Sequence, residues 1–299
     1  MGDSMVQTGR ILSGVGGFYE VQAEDGVRHT CRARGKFRIQ EDMTPAVGDG
    51  VRFAPKVGEE DGYLLEILPR RNRLLRPAVS NIDLLAVVLS ATRPQPDCML
   101  ADRLLAQAEG AHIRTCVCIN KCDEAKPDVV EALAGQYRHL PVFPVSARSG
   151  QGVPALRQEA GQGVLCLAGQ SGVGKSSLIN ALCPELELET GSVSRKIGRG
   201  RHTTRSVQLL PLPEGGFVVD TPGFSLLEGD AIPPEELMHR YPDFAPYWQD
   251  CRFAGCLHDK EPDCAVKAAV AAGRIPEARH ARYCQWVEEL QEQWRNRYD

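Results

Sequence analysis

Eight consecutive residues, Gly169-Gln170-Ser171-Gly172-Val173-Gly174-Lys175-Ser176, fit the pattern GxxxxGK[ST]. The chemistry of such a loop is phosphate binding. Its glycines let the backbone wrap an anion, so several N–H groups and a helix N-terminus converge on one triphosphate. Lys175 is expected to reach the β/γ oxygens, and the Ser176 hydroxyl to hold Mg²⁺. Val173 and Ser177 complete the cradle. Average residue usage produces such a match by accident in about one chain in a hundred of this length. The flanks lower that further. Residues 164–168 read as a buried strand, and residues 177–182 as a helix.

A second constellation, Asn120-Lys121-Cys122-Asp123, is NKxD at the end of an apolar run. The Asp123 carboxylate can accept hydrogen bonds from guanine N1–H and the 2-amino group. Adenine offers no such pair and would leave the carboxylate poorly satisfied. An ATP-using enzyme is disfavoured for that reason. Asn120 is expected to steady the loop and the purine edge, and the Lys121 stem to cover the base. Ser146-Ala147, one strand later, can present a backbone N–H to guanine O6. Alone, a four-residue match is an ordinary strand-to-helix loop; its placement gives it weight.

Asp220-Thr221-Pro222-Gly223 is a DxxG element. Asp220 is expected to hold Mg²⁺ through a water, and the Gly223 N–H to sense the γ-phosphate. Thr203 or Thr204 is expected to coordinate Mg²⁺ with GTP bound; spacing does not choose between them, and Thr204 is slightly preferred. In Ras-like proteins a glutamine after DxxG orients the attacking water. Here that position is Phe224, and His202 is the nearest candidate, set against a plainer role as a surface or RNA-contacting residue. With no arginine finger evident in the chain, turnover should be slow alone and stimulated by a partner.

Ordinary guanine-nucleotide proteins run phosphate loop, switch threonine, DxxG, NKxD, Ser-Ala. Here NKxD and Ser-Ala come first, so a circular permutation is expected. The chain after the second switch then runs straight into the C-terminal section. That section is expected to move with nucleotide state.

Cys251-x4-Cys256-x-His258-x5-Cys264 offers three thiolates and one imidazole. The count and softness suit one closed, structural zinc site, with reduced loop cysteines as the alternative. Cys284, beside Tyr283 and Trp286, reads as core. Cys31, Cys98, Cys116, Cys118, Cys122, Cys166 and Cys183 read as small buried hydrophobes.

These residues need elements to position them. Residues 6–12, 17–23, 27–33, 51–54 and 63–68 read as five short strands broken at glycine-rich turns. They suit an N-terminal OB-fold β-barrel. Its Arg28, His29, Arg32, Arg34, Lys36 and Arg38, with Phe18, Tyr19 and Phe37, suit RNA binding, although some of these aromatics can be core and a solvated charged face is the bland alternative. After a basic linker at residues 68–73, strands at 83–90, 115–119, 142–145, 164–168, 206–212 and 216–219 alternate with helices at 98–109, 129–137 and 177–182. That alternation predicts an α/β sheet. Residues 265–272 and 277–295 read as C-terminal helices. The expected division is 1–70, a barrel; 71–230, a circularly permuted P-loop GTPase domain; and 231–299, a zinc-binding helical domain.

At 299 residues with 25% charged and a net charge of −4, the composition is that of an ordinary soluble chain. It has no signal-like N-terminus and no apolar run of spanning length, so a cytoplasmic protein without membrane contact is expected. Eleven cysteines in such a chain do not predict disulfides. Local basic clusters, including Arg274, Arg279, Arg282, Arg295 and Arg297, are expected to supply RNA phosphate contacts.

The motif order closely resembles the ribosome small subunit-dependent GTPase A family of bacteria. So do the stretches Arg34-Gly35-Lys36-Phe37-Arg38, Val47-Gly48-Asp49, Leu68-Pro69-Arg70-Arg71, Asp102-Arg103-Leu104-Leu105 and Gly198 to Thr204. The resemblance covers nearly the whole chain; one departure is Cys122, where the family often has an aliphatic residue. It implies GTP hydrolysis to GDP in late maturation of the 30S subunit, stimulated by that subunit, with 16S rRNA as partner. It also implies that His202 matches a residue implicated in hydrolysis. A monomer is expected. The rival reading is a GTP-gated protein-binding switch with incidental RNA affinity.

Overall fold

The computed structural model describes residues 6–33, 44–55, 61–74, 77–184, 207–220 and 232–296. His202, Thr203, Thr204 and Gly223 lie outside them, as do Arg34, Lys36, Phe37, Arg38 and Arg297.

Five strands close an N-terminal barrel: β1 (Gln7–Val15), β2 (Phe18–Ala23), β3 (Arg28–Ala33), β4 (Gly50–Ala54) and β5 (Gly62–Ile67). β1 pairs with both β2 and β4, β2 with β3, β3 with β5 in parallel, and β5 with β4. That circuit is the five-stranded Greek-key closure expected from the spacing of the turns. The core is small: Ile11, Val21, Ala23, Cys31, Val51, Phe53 and Leu64. Phe18 stands 43% exposed with the Arg32 guanidinium over its ring. Tyr19 packs against the barrel core.

The basic stretch after the barrel is not a free linker. Arg70 bonds the fully buried Asp49 carboxylate through Nε and a terminal nitrogen, both at 2.7 Å, and also donates to the Thr44 carbonyl. Arg71 pairs with Asp83 at 2.7 Å. These arginines fasten the barrel to the start of the central sheet. β6 (Arg73–Leu74) and β7 (Val79–Ser80), two residues each, pair antiparallel beside it.

The central sheet runs β10 (Val142–Pro144), β9 (Arg114–Asn120), β8 (Leu84–Ser90), β11 (Val164–Ala168), β13 (Phe217–Asp220), β12 (Gln208–Pro211). All but β12 are parallel. β8 and β11 are buried at every position, the mark of parallel strands covered on both faces. Alternation divides each strand between two cores. Leu85, Val87, Leu89, Val117 and Ile119 face α1 (Cys98–Gly110) and α2 (Pro127–Gly135). Leu84, Ala86, Val88, Cys116 and Cys118 face α3 (Val153–Ala160) and α4 (Lys175–Leu182). All eleven cysteines are free.

Ser13 of β1 pairs with Gln208 of β12, so barrel and central sheet form one eleven-stranded sheet. The C-terminal section carries α5 (Ala265–Ala271) and α6 (Glu277–Arg295). Its core includes Tyr241, Phe244, Tyr283, Trp286 and Val287, and it takes in Ala106 of α1. Arg279 and Arg282 belong to this seam, not to a basic surface. Arg279 is 1% exposed and bonds Asp102 of α1 at 2.6 Å and Asp243 at 2.8 and 3.0 Å. Arg282 bonds Asp102 at 2.5 Å and Gln136 at 2.8 Å. Their helical spacing hides this role; the partners sit far off in the chain. Arg274 and Arg295 are exposed, as an RNA contact requires.

Candidate functional site

β11 ends where the phosphate loop begins, and α4 starts with Lys175. Two glycines let the loop turn here. Gly169 has φ +143, and a Cβ there would stand 2.3 Å from the Val88 carbonyl oxygen of β8. Gly174 has φ +96, and its Cβ would meet the Asn120 amide at 2.4 Å. The first lets the loop leave the sheet against β8, and the second lets the loop touch the NKxD segment.

That touch is bonded. Asn120, 1% exposed at the end of β9, donates from Nδ2 to the Val173 carbonyl at 2.9 Å. Its Oδ1 accepts from the Ala147 N–H at 3.0 Å. Lys121, in the left-handed region with φ +65, donates to the Gly172 carbonyl at 2.9 Å and to the Arg93 carbonyl. One dipeptide thus ties the phosphate loop, the Ser146-Ala147 turn and the segment after β8. Asp123 is exposed in the single turn Cys122–Glu124 immediately beyond. Ser146 is buried and its Oγ accepts from the Ser149 N–H. The Arg93 carbonyl is a support that motif reading missed, since a backbone oxygen leaves no trace in side-chain pattern.

Lys175 Nζ bonds the Gly169 and Gln170 carbonyls at 2.6 and 3.0 Å, and burial lowers its pKa to about 8. A bound triphosphate favours the charged form and raises that value again. Between the two values, binding takes up a proton. Nucleotide affinity should therefore be level below pH 8 and fall above it, by at most about tenfold per pH unit. Titrations with a fluorescent guanine nucleotide from pH 7 to 9.5 check this; affinity that stays level to pH 9.5 contradicts it.

Ser176 is exposed in the first turn of α4. Asp220 closes β13, the parallel neighbour of β11, so both reach the same end of the sheet. Hydroxyl and carboxylate oxygens are the hard donors Mg²⁺ takes. Burial pushes the Asp220 carboxyl up, and a hydrogen bond from Gln208 Nε2 to its Oδ2 at 3.2 Å opposes that shift.

In the C-terminal section Cys251 Sγ lies 3.5 Å from His258 Nδ1 and 3.8 Å from Cys264 Sγ, and Cys264 Sγ lies 3.4 Å from His258 Nδ1. The four donor atoms, Cys256 included, all lie within 4.8 Å of one another. Zinc bond lengths in a tetrahedron place sulfurs about 3.8 Å apart and sulfur and nitrogen about 3.5 Å apart, so the donors fit such an ion. Burial lowers His258 to about 4 and keeps it neutral, as a ligand must be. It pushes the Cys256 thiol up to about 12, a cost that a cation offsets. Cys284 stands apart, 3.8 Å from the His258 carbonyl.

Phosphate loop, NKxD segment and terminal aspartate meet at the carboxyl ends of parallel strands whose order in space differs from their order in the chain. Fold and site define a circularly permuted phosphate-loop GTPase. The RsgA GTPase family pattern matches residues 67–229, and the RsgA N-terminal domain pattern matches residues 8–64. A curated relative from Caldanaerobacter subterraneus subsp. tengcongensis, a small ribosomal subunit biogenesis GTPase RsgA, is 46% identical over 97% of this chain and 98% of its own. One of the same name from Halalkalibacterium halodurans is 42% identical over 97% and 99%. The crystal structure of YjeQ from Thermotoga maritima superposes with a TM-score of 0.82 at 35% identity, covering 96% of this chain and 99% of that one. YloQ, described as a circularly permuted GTPase, gives 0.79 at 35% identity and 96% of both chains. The chain belongs to the RsgA GTPase family, and it is a GTP-hydrolysing enzyme.

Proposed function

We propose that this GTPase acts in biogenesis of the small ribosomal subunit, binding the 30S particle and hydrolysing GTP to GDP and phosphate in late maturation. Asp123 reads guanine. The loop residues Gly169, Gly172, Val173, Gly174, Lys175, Ser176 and Ser177 hold the triphosphate. Ser176, Asp220 and Thr204 or Thr203 hold Mg²⁺, and Gly223 reports the γ-phosphate. His202 positions the attacking water. The observation that carries the nucleotide reading is the bonding of Asn120 and Lys121 to the phosphate loop, which brings base-reading and phosphate-binding segments to one place. The ribosomal part rests on the names of relatives that match this chain over nearly its whole length.

The chain divides into a barrel of residues 1–70, a GTPase domain of 71–230 and a zinc domain of 231–299. It works as a cytoplasmic monomer. No helix among the described residues is long and apolar enough to cross a membrane. Contacts to 16S rRNA come from exposed cations of the barrel and C-terminal section, and their affinity falls steeply with salt. Purified 30S subunits should raise the turnover of the isolated protein at least about tenfold, the least expected of a partner that completes a GTPase site. A rate unchanged by 30S subunits overturns the ribosomal reading. Footprints on rRNA with a GTP analogue but not GDP support RNA contact; binding without footprints favours a protein partner.

The metal of the cysteine–histidine cluster is zinc, one ion per chain, and structural. Cys256→Ser should reduce bound zinc to well below one equivalent and loosen the C-terminal section. Metal analysis with near-ultraviolet circular dichroism reads both. Stoichiometric zinc and unchanged spectra remove the assignment.

A further inference from the structure

Gln208 carries a role that the motifs do not assign. It sits at the first position of β12, and its Cα stands opposite two residues at once: Asp220 at the end of β13 and Ser13 on β1 of the barrel. From this three-strand junction its amide donates to Asp220 Oδ2 at 3.2 Å. Asp220 is the half-buried carboxylate that the proposed function places at Mg²⁺.

A carboxylate at the end of a strand can rotate, and each orientation offers the metal different oxygens. A donor on one oxygen fixes the rotation and leaves the other oxygen for the metal-bound water. The strand pairing fixes the donor in turn. With β13 on one side and β1 on the other, β12 cannot shift without breaking a register, so the amide is held at the height of the carboxylate. Glutamine suits the task because it donates without adding charge. Lysine or arginine here would neutralise Asp220 and compete with the cation, and glutamate would repel the Asp220 carboxylate.

We infer that Gln208 is a positioning residue for the Mg²⁺ site: it orients Asp220 and so sets the affinity of the nucleotide complex for the cation. The inference rests on the assignment of Asp220 to Mg²⁺. It requires no contact between Gln208 and nucleotide.

The test measures binding, not turnover. A fluorescent non-hydrolysable GTP analogue is titrated into the full chain in EDTA and across a Mg²⁺ series. Gln208→Leu keeps the volume and removes the donor; Gln208→Val, suited to a strand, is the second variant should the first fold poorly. Both should leave analogue affinity in EDTA unchanged and raise the half-saturating Mg²⁺ concentration about tenfold, the lower end of what loss of an outer-shell partner does. Asp220→Asn is the control and should shift it further. If Asp220→Asn leaves Mg²⁺ dependence unchanged, the metal assignment itself fails. If Asp220→Asn shifts it and the Gln208 variants move it less than twofold, the inference about Gln208 fails while the assignment stands. Equal losses of affinity in EDTA and in Mg²⁺ assign Gln208 a structural role only, and overturn the inference.

Discussion

Asp123→Asn should transfer this enzyme from guanine to xanthine nucleotides. In the proposed guanine site the two carboxylate oxygens would accept from guanine N1–H and the 2-amino group. A carboxamide keeps one acceptor and turns an N–H₂ donor toward the 2-amino donor, so one hydrogen-bonded pair becomes a clash. Xanthine carries an oxygen at position 2 and accepts that donor. Losing a charge-assisted bond and creating an unsatisfied donor together remove about 3–6 kcal/mol, or roughly 10²–10⁴ in GTP affinity. Competition of GTP and xanthosine triphosphate for one fluorescent analogue reads the exchange. A variant that still prefers GTP shows that Asp123 does not read the base. The exposed turn that carries Asp123 follows directly on the Asn120 and Lys121 clamp, so the substitution leaves that clamp intact.

The second large effect is on stability. Arg279 makes three hydrogen bonds to two carboxylates at a site only 1% open to solvent. Its ring neighbour Tyr241 lies 4.6 Å from the guanidinium. Arg279→Ala would leave Asp102 and Asp243 buried, with Arg282 as the remaining guanidinium on Asp102. Breaking such a cluster from one side costs about 3–5 kcal/mol, because the surviving charges stay desolvated. Arg279→Met, which retains the stem, should recover only the packing part. Denaturant unfolding followed by tryptophan fluorescence checks this, since Trp286 sits in the same core. A loss below about 1 kcal/mol, the scale of an exposed pair, would show that solvent reaches the cluster.

Much of the architecture was legible because its signals are local. The phosphate loop, its strand and its helix are contiguous, and the five barrel strands are separated by glycine turns. Continuous apolar runs such as β8 read correctly as buried strands. α3 escaped notice: its eight residues, VPALRQEA, show only Val153, Leu156 and Ala160 to the core. The Pro near its start and Gly161 at its end were the available signs. β6 and β7, two residues each, have no period to detect. The arginines misled for a different reason. Asp49 is 21 positions from Arg70, and Asp102 is 177 from Arg279, so a basic cluster in the sequence concealed pairs made by folding. The expectation of a C-terminal section moved by the second switch meets the same fact. That section shares a core and buried ion pairs with α1, so any motion carries α1 along or breaks them.

The same seam sets a timetable for synthesis. Asp102 leaves the ribosome 177 residues ahead of Arg279. At usual elongation speeds, the nascent helix waits roughly 9–35 s for its counter-ion. Through most of that interval α1 holds a carboxylate and an apolar flank whose partners, from Pro234–Arg240 onward, are not yet translated. The last helix to be made therefore completes the packing and ion pairing of the first helix of the catalytic unit, and a message cut short before residue 279 leaves Asp102 without its Arg279 partner.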